Sequence, residues 1–178
     1  SWAIPKYKGH RVYQNIVFQY SLHKLEQGSN KLIHYEYISE NKEDISREVI
    51  PQLLKEIQTE GTILVWNKAF EKGCNREMAR LYPEYKNQLL DLNNRMYDLG
   101  DIFAKQYYVD YRFNGSWSIK NVLPILAPHL NYKNLNGIHD GTEAMQGWYE
   151  LVFSNIKNKE ERKEELLRYC ELDTYAMY

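Results

Sequence analysis

The stretch Thr62-Ile63-Leu64-Val65-Trp66-Asn67-Lys68-Ala69-Phe70-Glu71 decides how the chain is read. Gly61 breaks the backbone just before it, and four apolar residues then form a run too short for a helix and rich enough in β-formers for a buried strand. Asn67 sits at the tip of that strand, and an acid follows four residues later at the start of a predicted helix, 69–81. Polar groups at the carboxyl edge of a strand are where ligand sites form in α/β sheets. An acid in a helix's first turn is equally explained by the helix dipole, so Glu71 alone decides nothing.

Working outward, residues 11–23 and 31–38 are rich in β-branched and aromatic types and read as two strands. The loop Glu26-Gln27-Gly28-Ser29-Asn30 makes them a hairpin. Residues 44–58 carry Ile45, Val49, Leu53, Leu54 and Ile57 at helical spacing, with Pro51 expected to kink the helix or start its main part. A helix from Pro83 to about 95, a brief extended segment at 96–99, an irregular stretch at 107–118 and a short helix from Ser118 to Leu126 follow. Asp140 with Glu143 forms a capping-box-like pair opening a helix to about Ile156, and a charged helix over 159–178 closes the chain. The sum is mixed α/β with a small sheet.

The 178 residues suit one domain with a single core. A net charge of −1 gives no global positive field to advertise nucleic acid, although 23 Lys and Arg allow a local basic groove. No apolar run spans a membrane, and residues 1–5 have no basic region leading into an apolar stretch, so no membrane partner and no secretion signal are expected. Cys74 and Cys170 lack metal-site spacing, and reduced cytoplasmic thiols are the expectation.

A second constellation is Tyr169-Cys170-Glu171-Leu172-Asp173, in which Tyr169 and Asp173 share a helix face. Its plain reading is a solvated acid beside a packed tyrosine. Taken together, the Asn67-x-x-Phe70-Glu71 string and Tyr169-x-x-x-Asp173 resemble the second and third motifs of the DnaQ-like, tyrosine-subclass DEDD exonucleases, with Glu71 where Asp is usual. Ala3-Ile4-Pro5, Phe18 to His23, Gly115 to Lys120, Asp140-Gly141 and Tyr169 to Met177 extend the resemblance to a bacterial family of unknown function that is similar to those exonucleases. Members of that group often follow a restriction-endonuclease-like domain in longer proteins.

The resemblance implies a ribonuclease-H-like fold, a mixed sheet flanked by helices, as a single domain over 1–178. It implies metal-dependent 3′-to-5′ hydrolysis of DNA or RNA ends, using two Mg or Mn ions. Asp173 and Glu71 are the implied metal ligands, and Tyr169 is implied to orient the attacking water. Asn67 and Phe70 would line the terminal nucleotide, and Lys120 is a candidate phosphate contact that a solvated surface lysine explains equally well. An attached restriction-endonuclease-like domain is an expected partner.

In that group an Asp-x-Glu pair lies on a first strand just ahead of the Ala-Ile-Pro segment. Here no acid precedes Glu26, so the sheet is expected to lack its first strand, the domain to be trimmed at both ends, and catalysis to be crippled in this chain. Asp98, at a strand end, reads as an auxiliary acid or a turn residue, and His23 as a surface residue at a strand end. His139 with Glu143 faintly resembles the histidine-subclass motif, but helix capping already accounts for Asp140 and Glu143. The alternatives to an enzyme are a non-catalytic module that grips nucleic acid or a nuclease partner, and a plain protein-interaction domain.

Overall fold

Among the described residues the first strands form a hairpin whose alternating residues face two different helices. The computed structural model describes residues 7–26 and 28–178, and the Ala3-Ile4-Pro5 string lies outside the described residues. Strand β1 (Gln19–Leu25) pairs antiparallel with β2 (Leu32–Ile38). On one face Tyr20 stacks on its cross-strand partner Tyr37, whose hydroxyl reaches Glu48 of α1 (Ile45–Ile57). On the other face the Gln19 amide donates to the Leu166 carbonyl of α7 (Lys159–Tyr175). The period of two in a strand puts Gln19, Ser21 and His23 toward α7 and Tyr20 and Leu22 away from it.

The expected strand over 11–23 is shorter at its start. The Ser39 amide donates to Phe18 O, extending the hairpin register by one bond, but the Val17 carbonyl is taken by Ser46 Oγ, each at 2.8 Å, and the strand starts only after it. The α1 helix runs through Pro51, whose missing N–H costs the helix one backbone bond.

The apolar run after Gly61 forms β3 (Ile63–Val65), parallel to β4 (Met96–Asp98). A parallel pair needs a long crossover. It consists of α2 (Lys68–Leu81), a 3₁₀ turn at Pro83–Tyr85 and α3 (Lys86–Arg95). The single helix expected from Pro83 is thus a tight turn feeding an α-helix. A one-turn helix that the sequence pattern does not signal, α4 (Asp101–Ala104), follows β4. Then come a 3₁₀ turn at Tyr111–Phe113, α5 (Ile119–Leu126), a 3₁₀ turn at Tyr132–Asn134, α6 (Gly141–Phe153) and α7.

The architecture is mixed α/β. Among the described residues the strands form two separate two-stranded sheets, one antiparallel and one parallel, in place of one mixed sheet. No described strand bridges β1 to β3.

Two hydrophobic clusters support the elements. The larger gathers Ile38, Ile45, Leu123, Tyr132, Trp148, Leu166 and Tyr169 under α6 and α7. Trp148 is fully buried, stacks on Phe18 and donates its indole N–H to the Ser39 carbonyl at 2.9 Å. The smaller joins Ile50 of α1 to Met78, Leu89 and Leu92 of α2 and α3. The two clusters fix α7 and α2, the helices that carry the candidate acids. Among the described residues no helix is long and apolar enough to cross a membrane.

Candidate active site

Asn67 turns the chain from β3 into α2 in a left-handed backbone conformation, φ +85°, which Asn tolerates better than most residues. Its side-chain oxygen accepts the Phe70 amide, so Asn67 is the N-cap of α2. Asp98, at the end of β4, accepts the amides of Asn67 (3.1 Å), Lys68 (2.6 Å) and Gly100 (3.0 Å). Asp98 is therefore the turn residue of the two readings. It locks the tips of both parallel strands and sets the direction in which α2 leaves the sheet.

That direction carries Glu71 toward α7. Glu71 is near enough to Asp173 that burial and the Asp173 charge push its pKa from 4.5 up to about 7. No hydrogen bond or ion pair to the Glu71 carboxylate is found among the described residues. Asp173 is partly buried, and burial raises its pKa as well, against the lowering effects of Tyr132, Lys120 and Tyr169. The Tyr132 hydroxyl donates to Asp173 Oδ1 at 2.5 Å, and Tyr169, one helical turn earlier, engages the same carboxylate. Burial first, and then the Asp173 charge, push both phenols well above the ordinary tyrosine range, so both stay protonated donors.

Lys120, near the start of α5, places its ammonium 5.6 Å from the Tyr132 ring centre and 5.4 Å from that of Tyr169. The lysine is thus a half-buried member of the cluster and not a free surface charge. The fold brings together Glu71, Lys120, Tyr169 and Asp173 of the expected residues. Asn67 and Phe70 lie on the same first turn as Glu71, with Phe70 52% exposed and open to stacking. Nearby, the Trp66 indole N–H donates to the Trp117 carbonyl at 3.2 Å, and Trp117 is also exposed.

Tyr132 is the member that sequence reasoning missed. It lies in a 3₁₀ turn with no periodicity, and its link to Asp173 spans 41 positions. The rival His139 is occupied elsewhere: its backbone N–H and Nδ1 contact Glu143, and its Nε2 contacts the Leu135 carbonyl. Asp140 accepts the Thr142 and Glu143 amides, so this segment is a helix cap. His23 departs from the surface reading, since it is half-buried between His34 and α7.

Chemically, two carboxylates held against each other with one lysine nearby form an under-neutralised anionic site. Hard divalent cations select this kind of oxygen donor set. Glu71 and Asp173 therefore fit the metal role that the motifs imply, and a cation there would offset the burial and the Asp173 charge that raise the Glu71 pKa.

Comparison with known proteins gives the family but no activity. Residues 1–118 match the model of a domain of unknown function, DUF2779. An uncharacterized protein of Mycoplasma genitalium is 33% identical over 145 residues, covering 74% of this chain and 21% of the relative. The chain thus spans about a fifth of the length of that relative. No solved structure matches the chain. With two thirds of its residues matched by that family's model, the chain belongs to the DUF2779 domain family.

Proposed function

We propose that this domain belongs to a metal-dependent exonuclease with a ribonuclease-H-like fold that hydrolyses phosphodiester bonds at the 3′ end of DNA or RNA. The observation that carries the reading is the convergence of Glu71 on α2 with Tyr169 and Asp173 on α7, residues from the two motifs that the sequence singled out. Glu71 and Asp173 would hold divalent Mg or Mn, which, when bound, supplies charge stabilisation to the attacking and leaving oxygens. Tyr169, kept protonated beside Asp173, orients a water through its hydroxyl. Lys120 offers a positive charge to the phosphate, and Phe70 an exposed ring for the terminal base.

Full activity on this reading requires two further carboxylates, the Asp-x-Glu pair, from polypeptide outside these 178 residues. A restriction-endonuclease-like domain on the same longer polypeptide is the proposed partner. One observation favours a second reading, a non-catalytic nucleic-acid-binding or nuclease-partner module: two carboxylates converge among the described residues, while Phe70 and Trp117 present exposed aromatic surface beside them.

The test is manganese-dependent degradation of end-labelled single-stranded DNA and RNA by a longer form of the protein carrying the Asp-x-Glu pair. Stepwise shortening that disappears in Asp173→Ala is the expected result. Retention of both polymers without shortening, by folded protein in excess metal, moves the domain to the second reading.

A further inference from the structure

On the far side of α7's last turns lies a second cluster with different chemistry. His23 and His34 are direct cross-strand partners in the hairpin, their rings stacked at 4.4 Å and 14°. Glu171 of α7 reaches over them, with Oε1 3.7 Å from His34 Nδ1. One ligand atom from each of the three residues lies within 4.8 Å of the other two.

The hydrogen bonds around this cluster accommodate an arrangement that leaves one nitrogen of each imidazole free to bind a cation. Thr174 Oγ1 is in contact with the Cys170 and Glu171 carbonyls, at 3.3 and 3.2 Å, and a hydroxyl can only donate to a carbonyl. With its proton directed to one of those carbonyls, Thr174 Oγ1 accepts from Ser21 Oγ and His23 Nδ1, each at 2.8 Å. Ser21, its own proton given to Thr174, must in turn accept from His34 Nε2 at 2.9 Å. In that arrangement His23 carries a proton on Nδ1 and His34 on Nε2. His23 Nε2 and His34 Nδ1 keep their lone pairs, and the latter faces a carboxylate. That nitrogen and the Glu171 carboxylate can share one cation, either a proton on the imidazole or a metal ion.

We propose that His23, His34 and Glu171 form a binding site for a divalent transition-metal ion of the zinc class, which pins the β1–β2 hairpin to α7. Two imidazoles and one carboxylate are a donor set that zinc takes, with a fourth position left for water. The Ser21 and Thr174 hydroxyls supply the outer hydrogen bonds that orient metal-bound histidines. Zinc–ligand bonds of about 2.0–2.2 Å require the three donors to draw closer than they stand. Glu171, its side chain about half exposed, has the freedom to close that gap. The site is independent of the exonuclease reading and differs from the Glu71–Asp173 pair in ligand softness: nitrogen donors here, oxygen donors there.

The test is titration of the metal-free 178-residue chain with cobalt(II), followed by visible absorption, and with zinc(II), followed by calorimetry and thermal unfolding. The expected result is saturable binding of one ion with a d–d spectrum of low coordination number, displacement by zinc and a higher Tm with zinc. His34→Gln and Glu171→Gln should remove the spectrum, Thr174→Val should weaken binding by roughly 10-fold, and Glu71→Gln should leave it unchanged. Glu171→Gln changes an exposed side chain and keeps the test decisive if the histidine variant fails to fold. Absence of saturable cobalt or zinc binding by the wild-type chain overturns the proposal. So does a spectrum that survives in Glu171→Gln.

Discussion

Glu71 is the residue at which fold and chemistry meet. Its partly buried carboxyl faces Asp173, and burial together with that charge raises its pKa from 4.5 to about 7. A carboxyl with a raised pKa holds its proton more tightly in the folded chain than in the unfolded one. Its contribution to folding is therefore complete below about pH 4.5 and is lost as pH rises through about 7. Asp173 is shifted in the same direction by burial. The metal-free chain should thus lose thermal stability over that pH window, and Glu71→Gln should flatten the decline because an amide cannot ionise. Thermal melts across the window check this, and a Glu71→Gln profile as steep as that of the wild type would show that Glu71 does not carry the raised pKa.

Among the elements, the tip where β3 and β4 end does most to aim the site. Asp98 accepts three amides there, those of Asn67, Lys68 and Gly100, and so couples the N-terminus of α2 to the entry of α4. Gly100 suits the close approach, since a Cβ there would sit tightly against Asp98 Oδ1 at 3.0 Å and the Trp66 indole nitrogen at 3.3 Å. Asp98→Ala leaves those amides without their acceptor and should cost about 1–3 kcal/mol of stability. Asp98→Asn, which keeps one carbonyl oxygen, should cost less. Urea denaturation of the two variants measures the difference, and equal losses would mean that the side chain acts through its charge alone. This part of the site was only half legible beforehand. The strand tip and the following acid follow from local pattern, but the choice between an auxiliary acid and a turn residue for Asp98 depends on partners 30 and 31 positions away.

Across the whole molecule, α1 was readable from its periodic apolar face, α6 from its Asp140–Glu143 capping pair and α7 from its charged composition. Ile45, Val49 and Ile50 mark α1, and Trp148, Leu151 and Val152 mark α6. The short α4 has too few residues to show a period, and the strand expected over 11–23 begins late because Ser46 Oγ takes the Val17 carbonyl. Pattern reading placed Glu71, Tyr169 and Asp173 in one site because their motifs resemble a known pair. It missed Tyr132, which has no motif, and the His23–His34 pair, whose meaning appears only once the hairpin register sets the two rings opposite each other and α7 brings Thr174 and Glu171 to them. Sheet layout was the least legible level, because strand pairing is decided by partners distant in sequence.

The central claim is that α2 and α7 jointly form a divalent-cation site. Its most direct measurement is manganese binding to the 178-residue chain by electron paramagnetic resonance, with Glu71→Gln and Asp173→Asn alongside. Weak but saturable binding that is lost in each variant and retained in His34→Gln is the predicted result. Binding that persists undiminished in both carboxylate variants, or none in the folded wild-type chain, would contradict it.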